Sequence, residues 1–245
     1  MRGLFKQVRS RFEVEPMATP SRLLLLATVI AACAAYVHAG SAQVSLSKGP
    51  PLSADEVNRA VAGVQAFYDG AQTFKSDFQQ TYWVKAYNVL KSSSGEVTFA
   101  KPGKMDWAYS TPQRNRLVSD GTVIKFYDAG NKTIFQQPIH ASQYPLALSF
   151  LTGTGKLAEG LDFQIPPEMK FAGGYVLVGT PKQPTPTYAK ILFYVDAATS
   201  QVRRVIIMDG QGNRNRFDFE HPRVNDPVAP GQFTFTPPPG TTILP

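Results

Sequence analysis

The chain has 245 residues, 43% of them hydrophobic, enough for one domain with a real core. Sixteen Phe and 10 Tyr against 2 Trp, with 20 Pro and 19 Gly, favour many strands and turns over long helices. A single Cys excludes a disulfide scaffold, and the formal net charge of +7 bears on partners only after the N-terminus has been read.

Arg22 precedes the apolar run Leu23–Val37, and small residues follow. That is the order of a secretory signal, so residues 1–42 are expected to be a signal peptide and 43–245 a single domain. The stretch before the apolar run is long, and Met17 is an alternative start. Ile30-Ala31-Ala32-Cys33 offers a rival reading, a lipobox that would acylate Cys33 and anchor the protein. Against it, the apolar run continues through Tyr36 and Val37, where Cys33 reads as a small hydrophobe. Residues 1–42 hold five of the basic and two of the acidic residues, so the remainder carries 20 basic against 16 acidic, a net of +4. Nucleic-acid binding loses its support.

Ser53-Ala54-Asp55-Glu56 is a capping box. Val57, Ala60, Val61, Val64, Phe67 and Tyr68 then share one helical face, and Gly70 ends the helix. Thr73–Val84 reads as a strand whose aromatics break strict period, so a bend or bulge lies inside it. From Gly95 to Asp128 the spacing predicts three short strands. Val97 and Phe99 alternate with polar neighbours, and Met105, Trp107 and Tyr109 alternate with Asp106 and Ala108. Turns fall at Pro102-Gly103, Thr111-Pro112 and Asp120-Gly121. Lys132–Gln137 continues as a strand, and a nearly apolar helix is expected from Ser142 to about Gly153. Further strands are predicted at 174–180, 190–196, 202–209, 214–220 and 233–236. The class is mostly β (α+β): a curved sheet or open barrel with helices packed into its concave side.

Residues 43–245 hold two histidines, His140 and His221, in turns and without metal-ligand spacing. Gly153-Thr154-Gly155-Lys156 lacks the spacing of a phosphate loop. Asp77, Asp106, Asp120, Asp128 and Asp209 read as turn or polar-face residues. No pattern of an enzyme active site emerges, and the surplus of large apolar residues on strand faces points to an apolar ligand.

Seven elements occur in one order: Phe-Lys-x-Asp-Phe-Gln-Gln at 74–80, the Gly…Lys-Pro-Gly-Lys-Met-x-Trp-x-Tyr…Pro block at 95–112, and Val-Ser-Asp-Gly with Lys-Phe-Tyr-Asp at 118–128. Leu-x-Phe-Leu-Thr-Gly at 148–153, Thr-Pro-Lys at 180–182, Asp-Gly-x-Gly at 209–212 and Phe-Thr-Phe-Thr-Pro-Pro-x-Gly at 233–240 complete them. The set resembles the periplasmic outer-membrane lipoprotein carrier family of LolA type. The resemblance implies an incomplete antiparallel barrel whose hydrophobic cavity is covered by a helical lid. It implies a monomeric periplasmic carrier without a cofactor. Such a carrier takes acylated outer-membrane lipoproteins from an inner-membrane lipoprotein-releasing ABC transporter and hands them to an outer-membrane receptor. Under it, Val97, Phe99, Met105, Trp107, Tyr109, Phe126, Ile191 and Phe193 are expected to line the acyl cavity. Leu148, Phe150 and Leu151 belong to the lid, and Lys101 stands where the family carries an Arg tied to lid contact and transfer. Lys keeps the charge but loses the bidentate fork. Met105 replaces the family's large apolar residue, which suits an adaptable groove. Two alternatives come from other classes: a membrane-anchored receptor or lipid-transfer protein acylated at Cys33, and a periplasmic sensor of lipids or lipoproteins.

Overall fold

The structure is a computed structural model that describes residues 52–139, 151–153 and 155–244. Helix α1 (Ala54–Gly70) opens the domain, and its capping box is formed. The Ser53 N–H donates to Glu56 Oε2 at 2.8 Å, and the Glu56 N–H to Ser53 Oγ at 3.3 Å. Val57, Val61, Val64 and Tyr68 bury its apolar face, as the spacing requires.

Among the described residues, twelve strands follow. They are β1 (Thr73–Val84), β2 (Val89–Ala100), β3 (Lys104–Thr111), β4 (Arg116–Asp120), β5 (Val123–Asp128) and β6 (Thr133–Pro138). After the single helical turn α2 (Leu157–Gly160) come β7 (Leu161–Gln164), β8 (Gly174–Pro181), β9 (Lys190–Asp196), β10 (Val202–Met208), β11 (Arg214–Val224) and β12 (Thr242–Leu244). They form one sheet in the order β12-β6-β5-β4-β3-β2-β1-β11-β10-β9-β8-β7. Two meanders meet where β1 pairs antiparallel with β11. The edges β12 and β7 do not pair with each other, so the barrel is incomplete.

The expected bulge in β1 is present. Register with β11 shifts between Lys75 and Asp77, and the Ser76 hydroxyl fills the irregularity by donating to Glu220 O at 2.7 Å. The central stretch holds four strands where three were expected. Arg116–Asp120 is a full member of the sheet, and β2 begins at Val89, six residues before Gly95. Ser92–Ser94 have weak strand propensity, but the 12-residue β1 offers them partners from Gln79 to Thr81. Strands β7 and β12 have no counterpart in the sequence reading.

Phe233–Thr236 is a correction: it is not a strand. The segment after β11 runs over the convex side of β1–β5 and is held by side chains. Thr73 Oγ1 donates to Asp226 O at 2.7 Å, Lys75 Nζ to Pro227 O at 2.7 Å, and the Phe235 ring lies 5.3 Å from that of Tyr127. Pro237–Pro239 lack the N–H groups a ladder needs. Beyond them the chain pairs parallel with β6 as β12. Most of the helix expected from Ser142, with Leu148 and Phe150, lies outside the described residues, as do Cys33 and the signal segment.

Candidate acyl-binding face

The concave face is built row by row from strand register, because residues directly opposite on neighbouring strands point to the same side. Val97, Trp107, Leu117, Phe126 and Phe135 form one row from β2 to β6, and β12 adds Leu244. Phe74, Phe99 and Met105 form the next. On the other meander Ile191 and Phe193 stand opposite Ile207 and Val205. Val97, Phe99, Met105, Trp107, Ile191 and Phe193 all enter one buried cluster, to which α1 contributes Val57, Val61, Val64 and Tyr68. Tyr109 is half-buried against that cluster. Burial pushes its phenol up to about 12.

Phe126 sits differently. It continues the row of Trp107 and Leu117, yet it is 41% exposed and outside the cluster. Phe135 and Leu244, next in the same row, are exposed to a similar degree. The apolar face therefore runs from the buried cluster out to the open β12 edge, where it ends as an exposed patch.

Sequence reasoning passed over Phe74, Phe78, Phe217 and Phe219, which belong to the same cluster. The signal was available: Phe217 and Phe219 alternate with Arg216, Asp218 and Glu220, a clean period of two. Aromatic edges meet faces across the cluster, with Phe78 and Trp107 centroids 4.9 Å apart at 70° and Phe74 and Phe219 5.9 Å apart at 88°.

Lys101, in the β2–β3 turn, donates from Nζ to Tyr68 O at 2.6 Å and to Asp69 O at 2.8 Å. These are C-terminal carbonyls of α1, whose last turn has no basic residue of its own. Its stem lies against Gly153, and the Gly103 N–H donates to Thr152 O at 3.0 Å. Leu151 is buried in the cluster. One turn thus ties the helix cover, the sheet and the Leu151–Gly153 segment together.

On the convex side Asp106 departs from its reading as an ordinary polar-face residue. Its side chain is 1% exposed and pairs with Arg116 through Nε and Nη2, both at 2.8 Å. Gln232 Nε2 donates to it at 2.6 Å. Asp120 and Asp128 are turn residues as expected, each accepting backbone N–H bonds within its turn. A groove of ≈920 Å³ on this side is lined by Asp77, Glu96, Ala108, Arg116, Tyr127 and Phe235 among others. Among the described residues, no group of His, Cys, Asp and Glu has metal-binding geometry, and no helix is long and apolar enough to cross a membrane.

A family model described as outer membrane lipoprotein carrier protein LolA matches residues 69–236. A Nitrosospira multiformis protein named outer-membrane lipoprotein carrier protein is 26% identical over 186 residues, 75% of this chain and 87% of its own. One of the same name from Chromobacterium violaceum is 26% identical over 193 residues, 79% and 91% of the two chains. Among solved structures, a LolA superfamily protein from Nitrosomonas europaea aligns at a TM-score of 0.43 and 10% identity, covering 73% of this chain and 97% of that one. The match from the end of α1 to the segment beyond β11 settles the assignment: the chain belongs to the LolA outer-membrane lipoprotein carrier family.

Proposed function

We propose that this protein is a periplasmic carrier. It takes acylated lipoproteins from an inner-membrane lipoprotein-releasing ABC transporter, shields their acyl chains, and delivers them to an outer-membrane receptor without a cofactor or catalysis. The observation that supports this reading most is the continuity of the apolar face, from the buried Trp107 to the exposed Phe126, Phe135 and Leu244 at the open edge. A chain can be met by the exposed end of the row and drawn toward the buried end. The acyl site in this reading is Val97, Phe99, Met105, Trp107, Tyr109, Phe126, Ile191 and Phe193, with Leu148, Phe150 and Leu151 as its cover.

The energetics are coherent. A 16-carbon acyl chain exposed to water costs about 12 kcal/mol at ~0.8 kcal/mol per methylene. Lifting Val57, Val61 and Val64 of α1 off the sheet costs together roughly 5–9 kcal/mol. Burial of one chain thus offsets displacement of the helix's aliphatic face. Because occupancy competes with the protein's own packing, net affinity stays moderate, and a tighter acceptor can take the cargo downhill.

The test is release. Purified protein is added to inner-membrane vesicles holding the transporter, ATP and a triacylated lipoprotein. The expected result is lipoprotein in the soluble fraction in a one-to-one complex with the carrier. No release, together with no binding of a triacylated lipopeptide, refutes the reading. Intact mass of the exported protein separates it from the anchored alternative, which requires a diacylglyceryl group on Cys33.

A further inference from the structure

Exposed apolar side chains are ordinary when scattered singly, but three of them crowd the tip of the β1–β2 hairpin. Tyr87 is 80% exposed, Leu90 63% and Val89 42%. The tip also projects from the sheet. Strand β2 begins at Val89, whereas its pairing with β3 starts at Ser94. On that side the hairpin stands about 17 Å beyond its neighbour, at ~3.4 Å per residue. Cross-strand register puts Arg214, Trp83 and Leu90 in one row on one side of the sheet, and Val84 opposite Val89 on the other. The end of the hairpin is therefore apolar on both sides, which a strand pair covering a core on one side does not need.

This tip is held in shape. Lys85–Tyr87 is one turn of 3-10 helix closed by Asn88 in the left-handed region, at φ 49°. Trp83 Nε1 donates to Asn88 Oδ1 at 3.1 Å, and the Lys85 N–H donates to Asn213 Oδ1 of the β10–β11 turn at 2.9 Å. Charge here has one sign. No acidic residue lies between Asp77 and Glu96, while Lys85 and Lys91 do. Arg214 adds a third cation, its guanidinium 5.1 Å from the Trp83 ring centroid. The carboxylate of Asp209 in the adjoining turn is taken up locally, accepting from the N–H groups of Gln211 and Asn213 at 2.9 Å and from Asn213 Nδ2 at 2.7 Å. A shaped wedge ending in Trp, Tyr and Leu and rimmed by Lys and Arg has the composition of a membrane-interface element, whose aromatic rings sit at headgroup depth while its cations meet lipid phosphates. We propose that the β1–β2 tip is a membrane-contact element, seating Tyr87, Val89 and Leu90 among the headgroups of an anionic phospholipid surface, with Lys85, Lys91 and Arg214 on the phosphates. A tip of this size falls short of the roughly 1,200 Å² that a stable protein interface buries, whereas a bilayer accepts a wedge of any outline and releases it readily. The inference is independent of the acyl site, and its failure leaves the carrier reading in place.

Flotation with lipid vesicles tests it on the exported protein. Vesicles of phosphatidylglycerol and phosphatidylethanolamine are compared with vesicles of phosphatidylcholine alone. The protein is expected to float with the anionic vesicles and to be released as salt rises to roughly 0.5 M. K85E/K91E should weaken binding by about tenfold or more, and Y87S/L90S by a similar factor. All four side chains are exposed, so thermal unfolding of both variants should match the wild type. Brominated lipid should quench Trp83 and spare the buried Trp107, so the quench is lost in W83F. Absence of anionic-vesicle binding, binding that both tip variants keep at full strength, or a quench that persists in W83F overturns the proposal. If vesicles do not bind while Y87S/L90S abolishes transporter-driven release, the tip is a protein-docking surface and the lipid contact is refuted.

Discussion

Truncating Lys101 to Ala removes the cation that closes the C-terminus of α1. The two bonds from Nζ to Tyr68 O and Asp69 O are charge-assisted, and the C-cap residue Ala71 is extended, donating only its own N–H to Tyr68 O at 3.2 Å. A hydrogen bond to a charged group contributes roughly 1.5–3 kcal/mol, and the helix dipole adds about 0.3–1 kcal/mol. One of the two bonds is exposed, and the freed carbonyls regain water, so the net loss is about 2 kcal/mol. For a unit of this size, Leu46–Pro245, that lowers Tm by about 4–8 °C. Urea unfolding of K101A should show a lower midpoint with an unchanged slope. Gly153 sharpens the test. It has φ +69°, and a Cβ there would come within 2.8 Å of Lys101 Cδ and Cε. G153A therefore costs backbone strain plus displacement of the Lys101 stem in the wild type, but strain alone in K101A. The double-mutant cycle should return a coupling of about 1 kcal/mol. A K101A loss below ~0.5 kcal/mol, or a G153A cost equal in both backgrounds, refutes the idea that this side chain ties helix, turn and sheet together.

Four further outcomes are expected. D106N removes the charge that Arg116 and Gln232 share, and should cost about 2–3 kcal/mol in guanidinium unfolding and speed proteolysis near Gln232, since Arg116 is partly hydrated and only part of the buried-pair penalty applies. G95A places a Cβ 2.1 Å from Ala108 O and 2.8 Å from Tyr109 Cα, both backbone, so β2 must leave β3 at a cost of roughly 3 kcal/mol by thermal unfolding. Backbone N–H bonds from Val123 and Thr122 hold the Asp120 carboxyl below the usual range, and bonds from Asn131 and Thr199 do the same for Asp128 and Asp196. Their stabilisation is present above the ordinary carboxylate value of about 4 and lost as pH falls through the lower folded values, so the unfolding midpoint should drop below pH ~4, less steeply in the triple Asn variant. Tyr109 acts at the other end: its phenol, raised to about 12 by burial, contributes stability that is complete below about 10 and lost as pH rises toward 12, which absorbance titration at alkaline pH against Y109F will follow.

Much of this molecule is legible one segment at a time. The capping box, the apolar stripe of α1 and the alternation of Val97, Phe99, Met105 and Trp107 are local patterns, and each meets its expected partner face. The family motifs are legible for the same reason, being turns and short alternating runs. Local pattern misleads where cover comes from far along the chain. Phe233–Thr236 alternates like a strand but is held by side chains of other elements. Asp106 alternates like a solvated residue, yet Gln232, 126 positions away, buries it.

Period-two alternation determined which side of the sheet Phe126 and Trp107 share, because successive side chains in a strand must point oppositely. Only the tertiary structure decided that one is sealed within the buried cluster while the other stays exposed. In the same way, only the folded chain makes Lys101 in a β-turn the cap of a helix more than 30 residues earlier. A side chain's direction is set by its own backbone, whereas its burial and its hydrogen-bond partners depend on every segment that comes to lie over it.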